Sequence, residues 1–100
     1  QEALGVAGLA LAPGDALFPS YRSRAIVLGK GATVEEHFRE LIGDAGAAQA
    51  GREVFHHAAF PDVGVMPASS MIGGWVPTAA GYALTQQVEK SGNATVCVIV

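Results

Sequence analysis

Cysteine occurs once in the hundred residues, at Cys97, so no disulfide closes within the chain, a composition that suits a reducing compartment. Charge is scarce as well. Fifteen charged side chains, six of them Lys or Arg, leave a net charge of −3 and no basic cluster. That excludes nucleic acid as the main partner, because neutralising phosphates needs a cationic patch. Aromatics number seven against thirteen glycines, which points to closely packed elements joined by tight turns. The longest stretch without a charge, residues 63–88, contains two prolines, four glycines and two glutamines. A membrane span needs ~20 predominantly apolar residues, so this stretch is not one. The sequence opens at Gln1 with no signal or transit pattern. It has no G-x-S-x-G nucleophile elbow, and His56-His57 lack a matched set of further metal ligands.

What is present is core-forming: half of the residues are apolar, enough for one domain or part of one. Residues 1–12 read as a helix, with Leu4, Gly8 and Leu11 at helical spacing. Gly5 and Gly8 cost helix propensity and suit a site where another backbone packs closely. Pro13-Gly14-Asp15 is a turn, and residues 15–20 are partly extended. They lead into Tyr21-Arg22-Ser23-Arg24, where a phenol and a guanidinium together offer donors to a phosphate. The same residues also fit a solvated Arg pair at a helix start. Gly29-Lys30-Gly31 breaks the apolar run that follows. Thr33-Val34-Glu35-Glu36 has the pattern of a capping box. The helix after it is expected to bury Val34, Phe38, Leu41 and Ile42, and to turn Glu35, Glu36, Arg39 and Glu40 outward with His37 at the surface.

Residues 43–51 read as a loop, and 52–68 form a long aperiodic segment of the kind that often carries function. Residues 68–77, Ala-Ser-Ser-Met-Ile-Gly-Gly-Trp-Val-Pro, mark a strand-to-helix crossing with Pro77 in the first helical turn. Backbone groups at such a crossing are free to hold a ligand. Residues 74–90 are then helical, with Val76, Ala80, Ala83, Leu84 and Val88 expected on the packed face. Residues 91–93 stop the helix, and residues 94–100 are a near-continuous apolar run, as in a parallel strand buried on both faces. The fold class is α/β.

Taken in order, these motifs resemble the alpha subunit of the thiamine-diphosphate-dependent decarboxylating component of 2-oxo acid dehydrogenase complexes. Gln1-Glu2-Ala3 with Val6 and Gly8 matches the family's QEAxxVG helix, with a small length difference. Asp15 and Tyr21-Arg22 match its D…YR element. Gly51-Arg52 with His57 resembles its GRxMPxH segment. Ser69-Ser70-Met71-Ile72 and Val76-Pro77 match its SSPLATQIP-like crossing, which reads GIVGAQVP in pyruvate members. The resemblance implies that residues 1–100 are the N-terminal part of a thiamine diphosphate-binding domain, truncated at both ends. Its sheet would be mostly parallel and flanked by helices. It also implies that Tyr21 and Arg22 contact the cofactor diphosphate, that Ser70 and Ile72 contact the aminopyrimidine, and that the Ile72 side chain holds the cofactor bent. His57 would orient the 2-oxo acid as the catalytic residue of this segment. A potassium ion, held near the crossing in some members, would fall around Ser69, Met71 and Gly74.

The implied reaction is oxidative decarboxylation of pyruvate or a branched-chain 2-oxo acid, with acyl transfer to a lipoyl group. The implied partners are a beta subunit, in a heterotetramer, and a lipoyl-bearing acyltransferase core, with neither nucleic acid nor membrane. The compartment would be the cytoplasm in a bacterium and the mitochondrial matrix in a eukaryote. The family's Mg2+ motif follows a strand like residues 94–100, so the magnesium ligands are expected beyond this chain, which alone should be inactive. Arg24-Ala25 in place of His-Gly, Val54-Phe55 in place of Met-Pro and Gly74-Trp75 in place of a small residue and Gln keep the substrate open. A transketolase-like thiamine diphosphate enzyme and a non-catalytic α/β interaction domain are the competing readings.

Overall fold

A computed structural model of the chain describes residues 1–53, 55–89 and 96–99. Helix α1 (Glu2–Ala10) leads through a turn to strand β1 (Ala16–Phe18), followed by α2 (Arg24–Lys30) and α3 (Val34–Ile42). Short 3₁₀ turns at Phe55–His57 and Pro61–Val63 precede the long helix α4 (Trp75–Glu89) and strand β2 (Val96–Val98). The outer parts of the expected strand, residues 94, 95 and 100, and the helix stop at 91–93 lie outside the described residues.

β1 organises the rest. It pairs in parallel with β2, Ala16 against Val96 and Phe18 against Val98. On its other edge, residues 64–69 run alongside in the same direction: the Leu17 N–H donates to Gly64 O at 2.9 Å and the Met66 N–H to Leu17 O at 2.9 Å. Flanked on both edges, β1 is fully buried, as its unbroken apolar run requires. Its side chains alternate between two cores. Leu17 joins Ile26, Val27, Phe60 and Val65 on the α1–α2 side. Ala16 and Phe18 join Ala79, Trp75 and Tyr82 on the α4 side. Burying a side chain such as Leu17, Ile26 or Val65 stabilises by about 1.5–3 kcal/mol.

The small-residue helix behaves as its glycines suggest. A Cβ on Gly8 would lie 2.4 Å from Ile26 O, and one on Gly29 would lie 2.5 Å from Gly5 O, so α1 and α2 touch backbone to backbone. The Asp15 carboxylate accepts the Ala12 N–H at 2.7 Å, and Lys30 Nζ donates to Ala12 O at 2.8 Å, which pins the connecting turn.

Three sequence expectations need correction. In α3 the apolar residues Val34, Phe38, Leu41 and Ile42 are exposed, whereas Glu40 is buried. Glu40 accepts the Gln49 N–H at 2.9 Å, so the helix turns its Glu40 edge toward the following loop and rotates the apolar stripe outward. In α4 the packed residues are Trp75, Ala79 and Tyr82, one helical stripe, while Val76, Leu84 and Val88 are exposed. The cause is Phe18, whose ring meets Trp75 and Tyr82 edge-on at 5.6 and 5.7 Å. Two aromatic contacts outweigh what an alanine–valine face can bury. His37 is half-buried, with its ring stacked on Phe60 at 4.6 Å. Among the described residues no helix is long and apolar enough to cross a membrane.

Candidate functional site

Three parallel segments deliver their carboxyl ends to one side of the sheet. β1 ends into residues 19–23, the segment 64–69 ends at the crossing, and Ile99 follows β2. Between them lies a largely apolar pocket of about 400 Å³. Tyr21 and Arg22 form one wall, Ser69, Ser70, Met71 and Ile72 the other, with Gln1, Leu4 and Ile99 among the remaining lining residues. In open parallel sheets this is where ligands bind.

The backbone ties the two walls together. The Ser69 N–H donates to Pro19 O and the Tyr21 N–H to Ser69 O, both at 3.1 Å. Gln1 braces the same turn, its Nε2 donating to Arg22 O at 2.8 Å. Arg22 folds over its neighbour: its Cζ lies 4.8 Å from the Tyr21 ring centroid, and its Nε donates to the Tyr21 hydroxyl at 2.7 Å. The guanidinium has five N–H donors, so this leaves several for an anion.

On the opposite wall, Ser69 Oγ accepts the Met71 N–H at 3.1 Å, and the Gly74 N–H donates to Met71 O at 3.1 Å. Gly73 adopts a positive φ of 72°, a conformation that suits glycine at this bend. The tight turn pushes Ile72 outward until the residue is 90% exposed, an apolar surface that a flat ring would cover.

Tyr21, Arg22, Ser70 and Ile72, singled out in the sequence, therefore all line one pocket. His57 joins them through Ser70: its Nε2 lies 2.6 Å from Ser70 Oγ. The His57–Ser70 contact and the brace from Gln1 had no signal in sequence spacing. His56 points elsewhere, lining a small hollow with Arg24 and His37. Burial pushes the Arg24 guanidinium below its ordinary pKa. Among the described residues no group of His, Cys, Asp and Glu is arranged to hold a metal ion.

A second hollow, of about 460 Å³, lies beside α3 and is lined by Glu35, Glu36, Glu40 and Asp62 with Arg39 as its one cation. Its carboxylates would repel an anion, whereas the Tyr21–Arg22 pocket has a guanidinium and no carboxylate in its lining.

A family model described as "Dehydrogenase E1 component" matches residues 1–99. Curated relatives include subunit alpha 1 of the mitochondrial 2-oxoisovalerate dehydrogenase of Arabidopsis thaliana, 30% identical over 99% of this chain and 21% of its own length. Subunit alpha of the acetoin:2,6-dichlorophenolindophenol oxidoreductase of Bacillus subtilis is 30% identical over 97% of this chain and 29% of its length. The mitochondrial pyruvate dehydrogenase E1 component subunit alpha of Solanum tuberosum is 30% identical over 95% of this chain and 25% of its length. The chain thus spans between a fifth and a third of the length of these relatives.

Proposed function

Because the chain belongs to the dehydrogenase E1 component family, we propose that it is part of the alpha subunit of a thiamine-diphosphate-dependent 2-oxo acid dehydrogenase. The parent protein would act on pyruvate or a branched-chain 2-oxo acid and pass the acyl group to a lipoyl carrier. The observation that carries this reading is the meeting of Tyr21–Arg22 with the Ser69–Ile72 turn across one pocket.

The residues fit the cofactor at both ends. Arg22, held over Tyr21, would take the diphosphate through charge-assisted donors, with the Tyr21 hydroxyl beside it. The exposed Ile72 side chain would pack against the aminopyrimidine, and backbone groups at Ser70 and Ile72 would meet its polar edge. Thiamine diphosphate supplies, when bound, the electron sink for decarboxylation, and this chain supplies binding and orientation. His57, fixed by Ser70, would orient the 2-oxo acid. A potassium ion would be held around Ser69, Met71 and Gly74, at the turn that closes the crossing. The magnesium ligands and a beta subunit would come from the rest of the assembly, as would contact with the lipoyl-bearing core. The larger, mostly parallel sheet of a thiamine diphosphate-binding domain would extend from β1 and β2. The location would be the mitochondrial matrix in a eukaryote and the cytoplasm in a bacterium.

Titrating thiamine diphosphate with Mg2+ into the full-length subunit, assembled with its beta partner, tests the proposal. Saturable binding that Arg22→Ala weakens is expected. No binding at millimolar cofactor would overturn it.

A further inference from the structure

The contact between His57 and Ser70 has a third member. The Glu53 carboxylate lies 3.6 Å from His57 Nδ1, on the opposite side of the ring from Ser70. Glu53 stands four residues before His57, and the 3₁₀ turn at Phe55–His57 carries the ring back toward it. Neutral imidazole has one donor nitrogen and one acceptor, and the partner of one nitrogen decides the state of the other. A carboxylate accepts only, so it favours the proton on Nδ1. At 3.6 Å that preference is electrostatic and not a hydrogen bond. In the Nδ1–H form of the neutral ring Nε2 carries a lone pair, and the Ser70 hydroxyl at 2.6 Å is then the donor of their hydrogen bond.

We infer that Glu53 is a positioning residue that sets the tautomer of His57 and, through it, the polarity of Ser70. With its proton committed to His57, Ser70 Oγ has only lone pairs left for the pocket, so it receives an N–H or O–H from a ligand and does not donate to one. The wall formed by Ser69–Ile72 therefore selects a donor group at the Ser70 position, while the Arg22 end selects an anion. Linking these two ends to one cofactor rests on the reading above, but the tautomer does not.

The test uses the full-length subunit, assembled with its beta partner and labelled with 15N-histidine, at about pH 8.5, where an ordinary histidine is neutral. Ring 15N shifts report which nitrogen carries the proton, and the signal absent from His57→Asn identifies the residue. The wild-type protein should hold mainly the Nδ1–H form. Glu53→Ala should raise the ratio of Nε2–H to Nδ1–H by about two- to fivefold, the shift that an exposed pair of up to ~1 kcal/mol produces. Glu53→Gln, whose amide oxygen still accepts, should fall between the two. Glu53 is exposed, and a cooperative melt of each variant checks that it is folded before its spectrum is compared. A predominant Nε2–H form in the wild type, or one ratio in all three proteins, would overturn the inference. The spectra are recorded without cofactor, so titration of thiamine diphosphate into the wild type judges the cofactor reading separately.

Discussion

Gly8 and Gly29 face one another across the α1–α2 contact, with Cα of Gly8 only 3.2 Å from where a Cβ on Gly29 would sit. Neither position has room for a methyl group. Gly29→Ala should force the two helices apart, a cost of about 1–3 kcal/mol typical of overpacking. Gly14→Ala is the control, since nothing lies within 4 Å of its Cβ position. Urea unfolding of the full-length subunit reads both, and equal midpoints for the two variants would contradict this contact.

In the proposed pocket Arg22 would hold the anion end. Removing a charge-assisted hydrogen bond costs about 1.5–3 kcal/mol, so Arg22→Ala should weaken thiamine diphosphate roughly ten- to a hundredfold. Turnover at saturating cofactor should suffer less. The comparison is Arg39→Ala, which removes an arginine paired with Glu35 at 3.1 Å on α3. Calorimetric titration of both variants should separate them; equal losses would assign the effect to general charge.

The start of α3 makes a pH-dependent contribution whose sign is fixed. Thr33 donates its N–H to Glu36 at 2.6 Å and its hydroxyl at 2.7 Å, and accepts the Glu36 N–H at 3.1 Å. The Thr33 backbone bond, then its hydroxyl, holds the Glu36 carboxyl below the ordinary value of 4.5, with burial opposing and His37 assisting. A folded pKa below the unfolded one means stability present above the unfolded value and lost as pH falls through the folded one. Glu36→Gln keeps an acceptor without the charge. Its stability deficit should be full at neutral pH and should close below the ordinary glutamate range. Thr33→Ala should cost about 0.5–2 kcal/mol at neutral pH. Thermal melts across pH 3–7 (roughly the range over which a glutamate changes charge) check both, and a deficit of constant size would count against the assignment.

Phe18 is the centre of the α4 core. Phe18→Ala removes a ring that meets both Trp75 and Tyr82, and should cost about 3–5 kcal/mol. Fluorescence-monitored unfolding should show the loss along with a changed Trp75 signal. An unaltered midpoint would mean that α4 is held elsewhere.

Much of this was legible in the sequence because it is local. The Thr33–Glu36 cap, the crossing before α4 and the glycines of α1 each announce themselves within a few residues, and all are present. The pocket residues Tyr21, Arg22, Ser70 and Ile72 came from a family resemblance, and the fold brings them to one cavity. Side-chain burial was read less well. An apolar stripe states which residues prefer to be covered, not which neighbour reaches them first. Phe18 claimed the Trp75–Tyr82 edge of α4, and Gln49 claimed the Glu40 edge of α3. The Glu53–His57–Ser70 chain was invisible for a related reason: His57 and Ser70 stand thirteen positions apart, and only the folded loop closes that gap.

The alternation along β1 divides the molecule into two neighbourhoods that answer to different residues. A change in size at Leu17 would meet Ile26, Val27, Phe60 and Val65 first, and one at Phe18 would meet Trp75, Ala79 and Tyr82. The pocket lies on the seam, its Tyr21–Arg22 wall continuing from β1 and its Ser69–Ile72 wall opening α4. Because the bonds from Ser69 to Pro19 and from Tyr21 to Ser69 join those walls, a strain that starts in either neighbourhood converges on the same opening.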